Sequence, residues 1–468
     1  MSDVEFLIIG GGPCGLGAAR RLVQAGTTDL RVLERSQVFG GLAGSAYVNG
    51  WTWDYGCHVQ HSHYGEFDRA MMEALGEDGW YHHERASWVW MQQRWVPYPF
   101  QNNIHRLDPA DCARCLDGLR EASAKQGSYD LPPADFDQWA QRTFGAGIHE
   151  LFFVPYNEKV WAYPLASMNA HWIGDRVAVP DVARVERNVA ERRDDVAWGP
   201  NSTFRYPKRG GTGAAWKGLA DLLPDAITAP GSTVVAVDLP GHRVRLQGGE
   251  SIGYKQLLST MPLDLLARAT GDAALIGHAE GLVSSSTHVI GLGLKGQMPE
   301  VLQGMAWIYY PEPDLPFHRV TLYSNYSPAN VPDASRHWSI MLEVSQSPWR
   351  VVDEERLIED VLEGAVRCGL VPARDDVIEV WHKKLVRGYP TPSLTRDAAL
   401  AALIPALEAH DVASRGRFGM WRYEISNQDH TFMQGSEWAD RVLGRVDQEA
   451  GPEPTVNRSN WVNARHRE

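Results

Sequence analysis

Val4-Glu5-Phe6-Leu7-Ile8-Ile9-Gly10-Gly11-Gly12-Pro13-Cys14-Gly15-Leu16-Gly17-Ala18-Ala19-Arg20-Arg21-Leu22-Val23 is the stretch on which the fold turns. Its first six residues are mostly apolar and rich in β-branched side chains, which predicts a short buried strand. Glycines then stand at 10, 12 and 15, in the spacing G-x-G-x-x-G. From Leu16 onward, small residues fall on one side of a helical pattern. Bare backbone at Gly12 lets a pyrophosphate approach the amides at the helix N-terminus. That spacing is a weak signal alone. A second strand, Leu30-Arg31-Val32-Leu33, ends in Glu34, where a carboxylate can accept from a ribose hydroxyl pair. Gly40-Gly41 follow six residues later. The combined pattern points to flavin adenine dinucleotide (FAD), rather than a nicotinamide nucleotide, as the tightly held ligand. Gly10, Gly12, Pro13, Cys14, Gly15, Glu34 and Gly41 would surround it.

Working outward, residues 233–262 predict a meander and a returning strand: Thr233 to Val237, Arg243 to Leu246, then Tyr254 to Pro262. Gly416-Arg417-Phe418-Gly419 and Asn427-Gln428-Asp429-His430 precede a final helix to about residue 445, whose N-terminus would aim at the flavin. The fold class is therefore α/β: a Rossmann-like FAD-binding domain carrying an inserted helical domain and an antiparallel β-sheet domain. The FAD domain takes residues 1–64, 205–275 and 412–450. Residues 65–204 read as a mainly helical substrate domain, with helices over 66–75, 108–124, 136–143 and 182–193. Residues 276–411 read as the sheet domain, with strands at 284–292 and 338–344, and residues 451–468 as a tail.

The 468 residues are too many for one small core. Apolar residues make up 44% and charged residues 22%, the balance of a folded soluble chain. A net charge of −13 argues against a chain-wide nucleic-acid or acidic-membrane surface, though not against local arginines around a small anion. No apolar run approaches a membrane span, and no leader-like segment opens the chain. Five cysteines cannot all pair, and a reducing cytoplasm is the expected location. Cys112-Ala113-Arg114-Cys115 sits in a helical pattern without a second pair at ligand spacing, so inert thiols are expected. His82-His83 stands in no ligand constellation, and no metal is assigned.

Several longer segments resemble the UDP-galactopyranose mutase family, in its eukaryotic, fungal-type branch. They are Trp95-Val96-Pro97-Tyr98-Pro99-Phe100-Gln101-Asn102-Asn103-Ile104, Pro155-Tyr156-Asn157-Glu158-Lys159-Val160-Trp161-Ala162, Tyr389-Pro390-Thr391-Pro392, Arg415-Gly416-Arg417-Phe418-Gly419 and Trp421-Arg422-Tyr423-Glu424. The resemblance runs from Phe6 to about Val442 in the same order. It implies an isomerase that interconverts UDP-galactopyranose and UDP-galactofuranose through a covalent flavin N5-sugar adduct. FAD would be non-covalent and active when reduced, with NADPH as reductant.

The resemblance also implies roles for residues. Arg176 and Arg319 match the diphosphate arginines, and Tyr309, Tyr389 and Tyr423 match tyrosines that donate to the same phosphates. Asn201 matches a substrate-contacting amide. Tyr98, Phe100, Gln101, Phe152, Tyr156, Asn157 and Trp161 match the uridine pocket. His58 matches the histidine beside the flavin, on a loop that responds to its redox state. Leu42, Gly56, Val235, Arg417, Asn427, Gln428 and Thr431 join the cofactor set, and Arg85 and Ser87 match positions that hold NADPH. Two departures stand out. Cys57 replaces a glycine of a Gly-Gly-His pattern, and His61 replaces an aromatic near the sugar. A mutase for another UDP-sugar, an amine-oxidase-like FAD oxidoreductase and a non-catalytic escort-type binding protein are the alternatives. Oligomeric state is left open.

Overall fold

The computed structural model describes residues 3–174, 176–196 and 202–445. Val4–Ile9 is a strand, and Gly12 is the N-cap of the helix Pro13–Gln24. The strand is the centre of a parallel set, flanked by Leu30–Glu34 on one side and Ser251–Ser259 on the other. Thr228–Pro230 extends the first flank, and Val412–Ser414 pairs parallel with Ser251–Ser259. The meander strands Val234–Asp238 and Arg243–Leu246 add to Ser251–Ser259 in antiparallel order. Distant stretches of the chain thus close one sheet around the glycine turn.

Alternation along Val4–Ile9 sends Phe6 and Ile8 to one face and Leu7 and Ile9 to the other. The first pair packs with the helices Pro13–Gln24 and Gln428–Val442, the second with residues of 263–282 and 399–421. The two helices touch backbone to backbone. A Cβ on Gly17 would lie 2.4 Å from the Phe432 carbonyl oxygen, and one on Gly435 only 1.9 Å from that of Cys14. This contact sets the start of the last helix beside the glycine turn. Asn427 caps that helix and Gln428 opens it, so residues 428–430 belong to it instead of preceding it.

The second sheet has seven strands, in the order Val377–Pro390, Ser284–Lys295, His337–Gln346, Arg319–Thr321, Trp307–Tyr309, Ser87–Met91, Arg94–Pro97. Its last two strands come from the stretch read as mainly helical, and Trp307–Tyr309 pairs with Ser87–Met91 in parallel. The reason lies in Ser87-Trp88-Val89-Trp90-Met91, whose buried and half-buried positions alternate with period two. Trp80–Glu84 is also a strand, paired with Thr203–Pro207. Helices do form at Gly65–Leu75, Pro109–Ala124, Phe136–Ile148 and Val182–Glu191. Phe136–Ile148 outruns its expected end and continues through a π turn, His149–Phe153, into the helix Val154–Trp161. Cys112 and Cys115 lie in Pro109–Ala124; burial pushes the Cys115 thiol up to about 12. Among the described residues, no helix is long and apolar enough to cross a membrane.

The glycine contact makes a stability prediction. Gly435→Ala inserts a methyl where no space exists, and overpacking of this kind costs about 1–3 kcal/mol. The variant should melt at lower temperature and retain less bound dinucleotide than the parent. An unchanged melting temperature would show that the two helices can separate freely.

Candidate active site

The first helix offers a cradle for a dinucleotide. Among the described residues no side chain caps its N-terminus, and its first turn carries no acidic residue. Gly12 and Gly41 face one another: a Cβ on Gly41, at φ +56°, would come 3.2 Å from the Gly12 Cα. Side chains here would fill the space a pyrophosphate needs beside the helix amides. Glu34 is buried and accepts from the amides of Gly11 and Ser36 at 2.7 and 2.8 Å, so it also shapes the turn. Gly10, at φ +105°, makes the turn itself. Pro13 is the first helical residue, Cys14 and Gly15 are buried in its first turn, and Leu42 lies in the short helix Gly41–Ala43. Val235 sits at a bulge between two meander strands.

Beyond the cradle, aromatic side chains from both insertions meet. Phe100 stacks on Phe152 at 4.4 Å, and Phe152 on Tyr156 at 5.4 Å with planes 4° apart. Tyr156 and Tyr98 each pack against Tyr309 at 5.1 Å. Trp161 is buried and meets Tyr423 at 4.9 Å and Tyr389 at 5.8 Å. The Arg417 guanidinium stands 5.3 Å from the Tyr389 ring and 5.7 Å from that of Tyr423. The tyrosines are half-buried. Burial raises the phenols of Tyr98, Tyr156, Tyr309 and Tyr389, so they remain proton donors at neutral pH.

Arg319 enters this ring from the strand Arg319–Thr321, directly across from Tyr309 on one side and Glu343 on the other. Its Nη2 donates to both Glu343 oxygens at 2.7 and 2.8 Å. Burial alone would lower the guanidinium's pKa, but the Glu343 carboxylate holds it well above its ordinary value. Glu343 also accepts from the Cys57 amide at 3.1 Å. The next residue, His58, lies close to Arg417 and Arg319; its Nδ1 is buried and has no hydrogen-bond partner among the described residues. Burial first, then those two cations, push its pKa down to about 3, which keeps the ring neutral. Such an orphaned polar atom fits a polar planar ring placed alongside.

The remaining expected residues fall around these walls. Gln101 donates to the Ala178 carbonyl and Asn157 to that of Phe153 at 2.8 Å. Arg176 is half-buried on the helical side, two residues before Ala178. Arg85 stands near Tyr98 and Tyr309. Ser87 is buried, and its carbonyl accepts from the Tyr98 amide at 3.1 Å. Gln428 spends its side chain on the protein, accepting from Trp216 at 2.6 Å and donating to the Val59 carbonyl at 3.2 Å. Thr431 likewise bonds the Asn427 carbonyl at 3.0 Å. At the start of this helix the side chains of Gln428 and Thr431 are thus bonded to the protein itself. His61 bonds the Thr203 carbonyl through Nδ1 at 3.0 Å and packs on Phe204. Asn201 lies outside the described residues.

Sequence reasoning missed Glu343 and a buried pair, His63 and Asp429, joined at 2.5 Å. With His430 this pair is a group of metal-ligand type. Its observed geometry is that of a hydrogen bond tying the His58 loop to the last helix.

Fold and site together define a dinucleotide-fold protein with a cluster of tyrosines and arginines beside the glycine turn. A family model described as an NAD(P)-binding Rossmann-like domain matches residues 8–75. Among solved structures, that of a reduced UDP-galactopyranose mutase is 43% identical, covering 99% of this chain and 98% of its own, with a TM-score of 0.94. The chain belongs to the UDP-galactopyranose mutase family. A putrescine oxidase (14% identity, TM-score 0.65, 95% of this chain and 100% of its own) shares the fold. So does a fatty acid isomerase from P. acnes (14%, 0.63, 94% and 99%).

His61 makes a pH prediction. Burial lowers its pKa from 6.5 to about 4. The unfolded chain therefore takes up this proton before the folded one, and stability falls as pH drops from about 6.5 to 4. His61→Phe should flatten that part of the melting-temperature profile. Parallel acid limbs for variant and parent would show that the ring titrates normally.

Proposed function

We propose that the protein is a flavin-dependent sugar-nucleotide mutase, interconverting the pyranose and furanose forms of a UDP-sugar, with UDP-galactose as the first candidate. The observation that carries this reading is the Arg319–Glu343 pair among protonated tyrosines, in a chain that also holds a dinucleotide cradle. Length and motif order favour the fungal-type branch. FAD would lie non-covalently along Gly10–Gly15, Glu34 and Gly41, with its isoalloxazine near His58, Arg417 and the start of the last helix. NADPH would supply the initial electrons, with Arg85 and Ser87 as candidate contacts. Reduced flavin, when bound, supplies a nucleophilic nitrogen for the anomeric carbon.

The chain's own residues do the rest. The stacked Phe100, Phe152 and Tyr156 form a flat apolar wall for a pyrimidine; Tyr98, Gln101, Asn157, Trp161 and Asn201 complete the pocket by resemblance. Arg319, held charged by Glu343, faces the charge that grows on a departing diphosphate. Tyr309, Tyr389 and Tyr423 can donate to the same oxygens, and Arg176 would add a second cation. A neutral His58 can accept a hydrogen bond without adding positive charge beside Arg417. An oxidase acting on an amine needs no such diphosphate clamp, and an escort protein needs no flavin. Another UDP-sugar remains the second reading, because His61 offers an imidazole where the family resemblance has a phenyl ring.

The decisive experiment is product analysis of dithionite-reduced enzyme with UDP-galactose and other UDP-hexoses and UDP-pentoses. Turnover should need reduced flavin and consume no stoichiometric reductant. Equal turnover by the oxidised enzyme, or one NADPH per product, overturns the reading.

Arg319→Ala should lose about 3–4 kcal/mol of transition-state stabilisation, several hundredfold in turnover, with normal flavin content. Near-parental turnover would remove Arg319 from the diphosphate site. Acid precipitation should release the flavin into the supernatant; yellow colour kept in the pellet would show a covalent bond.

A further inference from the structure

Lys159 is a lysine with 2% exposure, on the helix that carries Tyr156 and Asn157. Its Nζ donates to the carbonyls of Tyr310 and Glu312, both at 2.8 Å. Those carbonyls begin the connection 310–318, which joins Trp307–Tyr309 to Arg319–Thr321. Tyr309 and Arg319 are the last and first residues of the two strands and face each other in register. The connection is braced elsewhere: Tyr310 donates to the His318 carbonyl at 2.9 Å, and the Glu312 carboxylate accepts from the Gln92 amide at 2.6 Å.

Burying an ammonium is costly unless hydrogen bonds replace its water. Burial indeed drives the Lys159 pKa well below its ordinary value; Arg350 pushes the same way, while Asp314 and Glu312 oppose it. An apolar residue of similar length would fill this space without that cost. What it would not do is fasten the helix to two carbonyls of the connection.

The geometry points to Lys159 as a positioning residue that sets the distance between the two walls of the nucleotide site. One wall is the helix with Tyr156 and Asn157, and the other is the hairpin with Tyr309 and Arg319. This inference rests on the mutase reading, since it takes these walls to grip UDP. A lost tie lets Tyr309 and Arg319 drift from Tyr156, and small misplacements of binding groups are expensive.

The test uses FAD-loaded protein, UDP as the probe and titration calorimetry. Lys159→Met should keep its flavin content and bind UDP at least tenfold more weakly than the parent. Amide exchange over residues 310–318 should speed up, while exchange over Val4–Ile9 stays as in the parent. Lys159→Gln, which keeps an N–H donor, should fall between parent and Lys159→Met. Combining Lys159→Met with Tyr309→Phe should weaken binding no more than twofold beyond the worse single variant, because both act through one wall. UDP affinity within twofold of the parent, or effects that multiply, would overturn the proposal. So would failure of both Lys159 variants to fold, which would assign the residue to the fold as a whole. A parent that does not bind UDP overturns the nucleotide reading itself, and this inference with it.

Discussion

One carboxylate, Glu343, fixes the relation between the second sheet, the aromatic cluster and the loop that carries His58. It is 3% exposed and lies opposite Arg319 in neighbouring strands. Pairing a charge in such a place is rarely the most stable choice, because desolvation of both ions offsets their attraction. Removing one partner would strand the other. The pair therefore obliges the surrounding chain to supply more hydrogen bonds, and it does: the Cys57 amide donates to the same carboxylate. His318, next to Arg319, donates its amide to the Glu343 carbonyl at 3.0 Å. The strands that carry Arg319 and Tyr309 are thus held together, with the Arg319 guanidinium charged.

How much of this could be read beforehand follows from the range of the interactions. The dinucleotide fold was legible because its signal is local: an apolar run, a glycine turn and a helix within some twenty residues. The mixing of the two insertions was not. Ser87–Met91 joins the second sheet by pairing with Trp307–Tyr309, more than two hundred residues later, and nothing in either stretch names its partner. The site divides in the same way. The aromatic residues and Arg319 were found through resemblance of whole motifs. Glu343 reads as part of the strand Ser339-Ile340-Met341-Leu342-Glu343-Val344, and only cross-strand register shows that its carboxylate meets Arg319. Asp54 is a similar case. It collects Ser45, Tyr206 and Thr212 around a buried carboxyl raised to about 6 by burial, and the last two stand more than 150 residues away in the sequence.

Glu34 and Gln428 were expected to address a cofactor directly. Each also shapes the site, Glu34 by bracing the glycine turn and Gln428 by holding the Val59 carbonyl. His61 uses one ring nitrogen on the backbone of Thr203. A neutral ring bonded through Nδ1–H presents an acceptor at Nε2.

The Cys57 departure can be weighed on the same terms. The positive φ in the turn belongs to Gly56, at +149°, and Cys57 lies outside that region, so a side chain causes no strain in this conformation. Its sulfur lies 3.4 Å from the Tyr326 hydroxyl. The loop is then fastened along its length: the Cys57 amide to Glu343, the His58 carbonyl to Thr212, the Val59 carbonyl to Gln428, and His63 to Asp429. Two of these anchors, Gln428 and Asp429, are consecutive residues at the start of the last helix, and a third is the carboxylate that charges Arg319. A shift of His58 cannot be a private movement of the loop. Where the backbone of residues 57–59 moves, it strains bonds to the last helix and to Glu343 together, the carboxylate on which Arg319 is held.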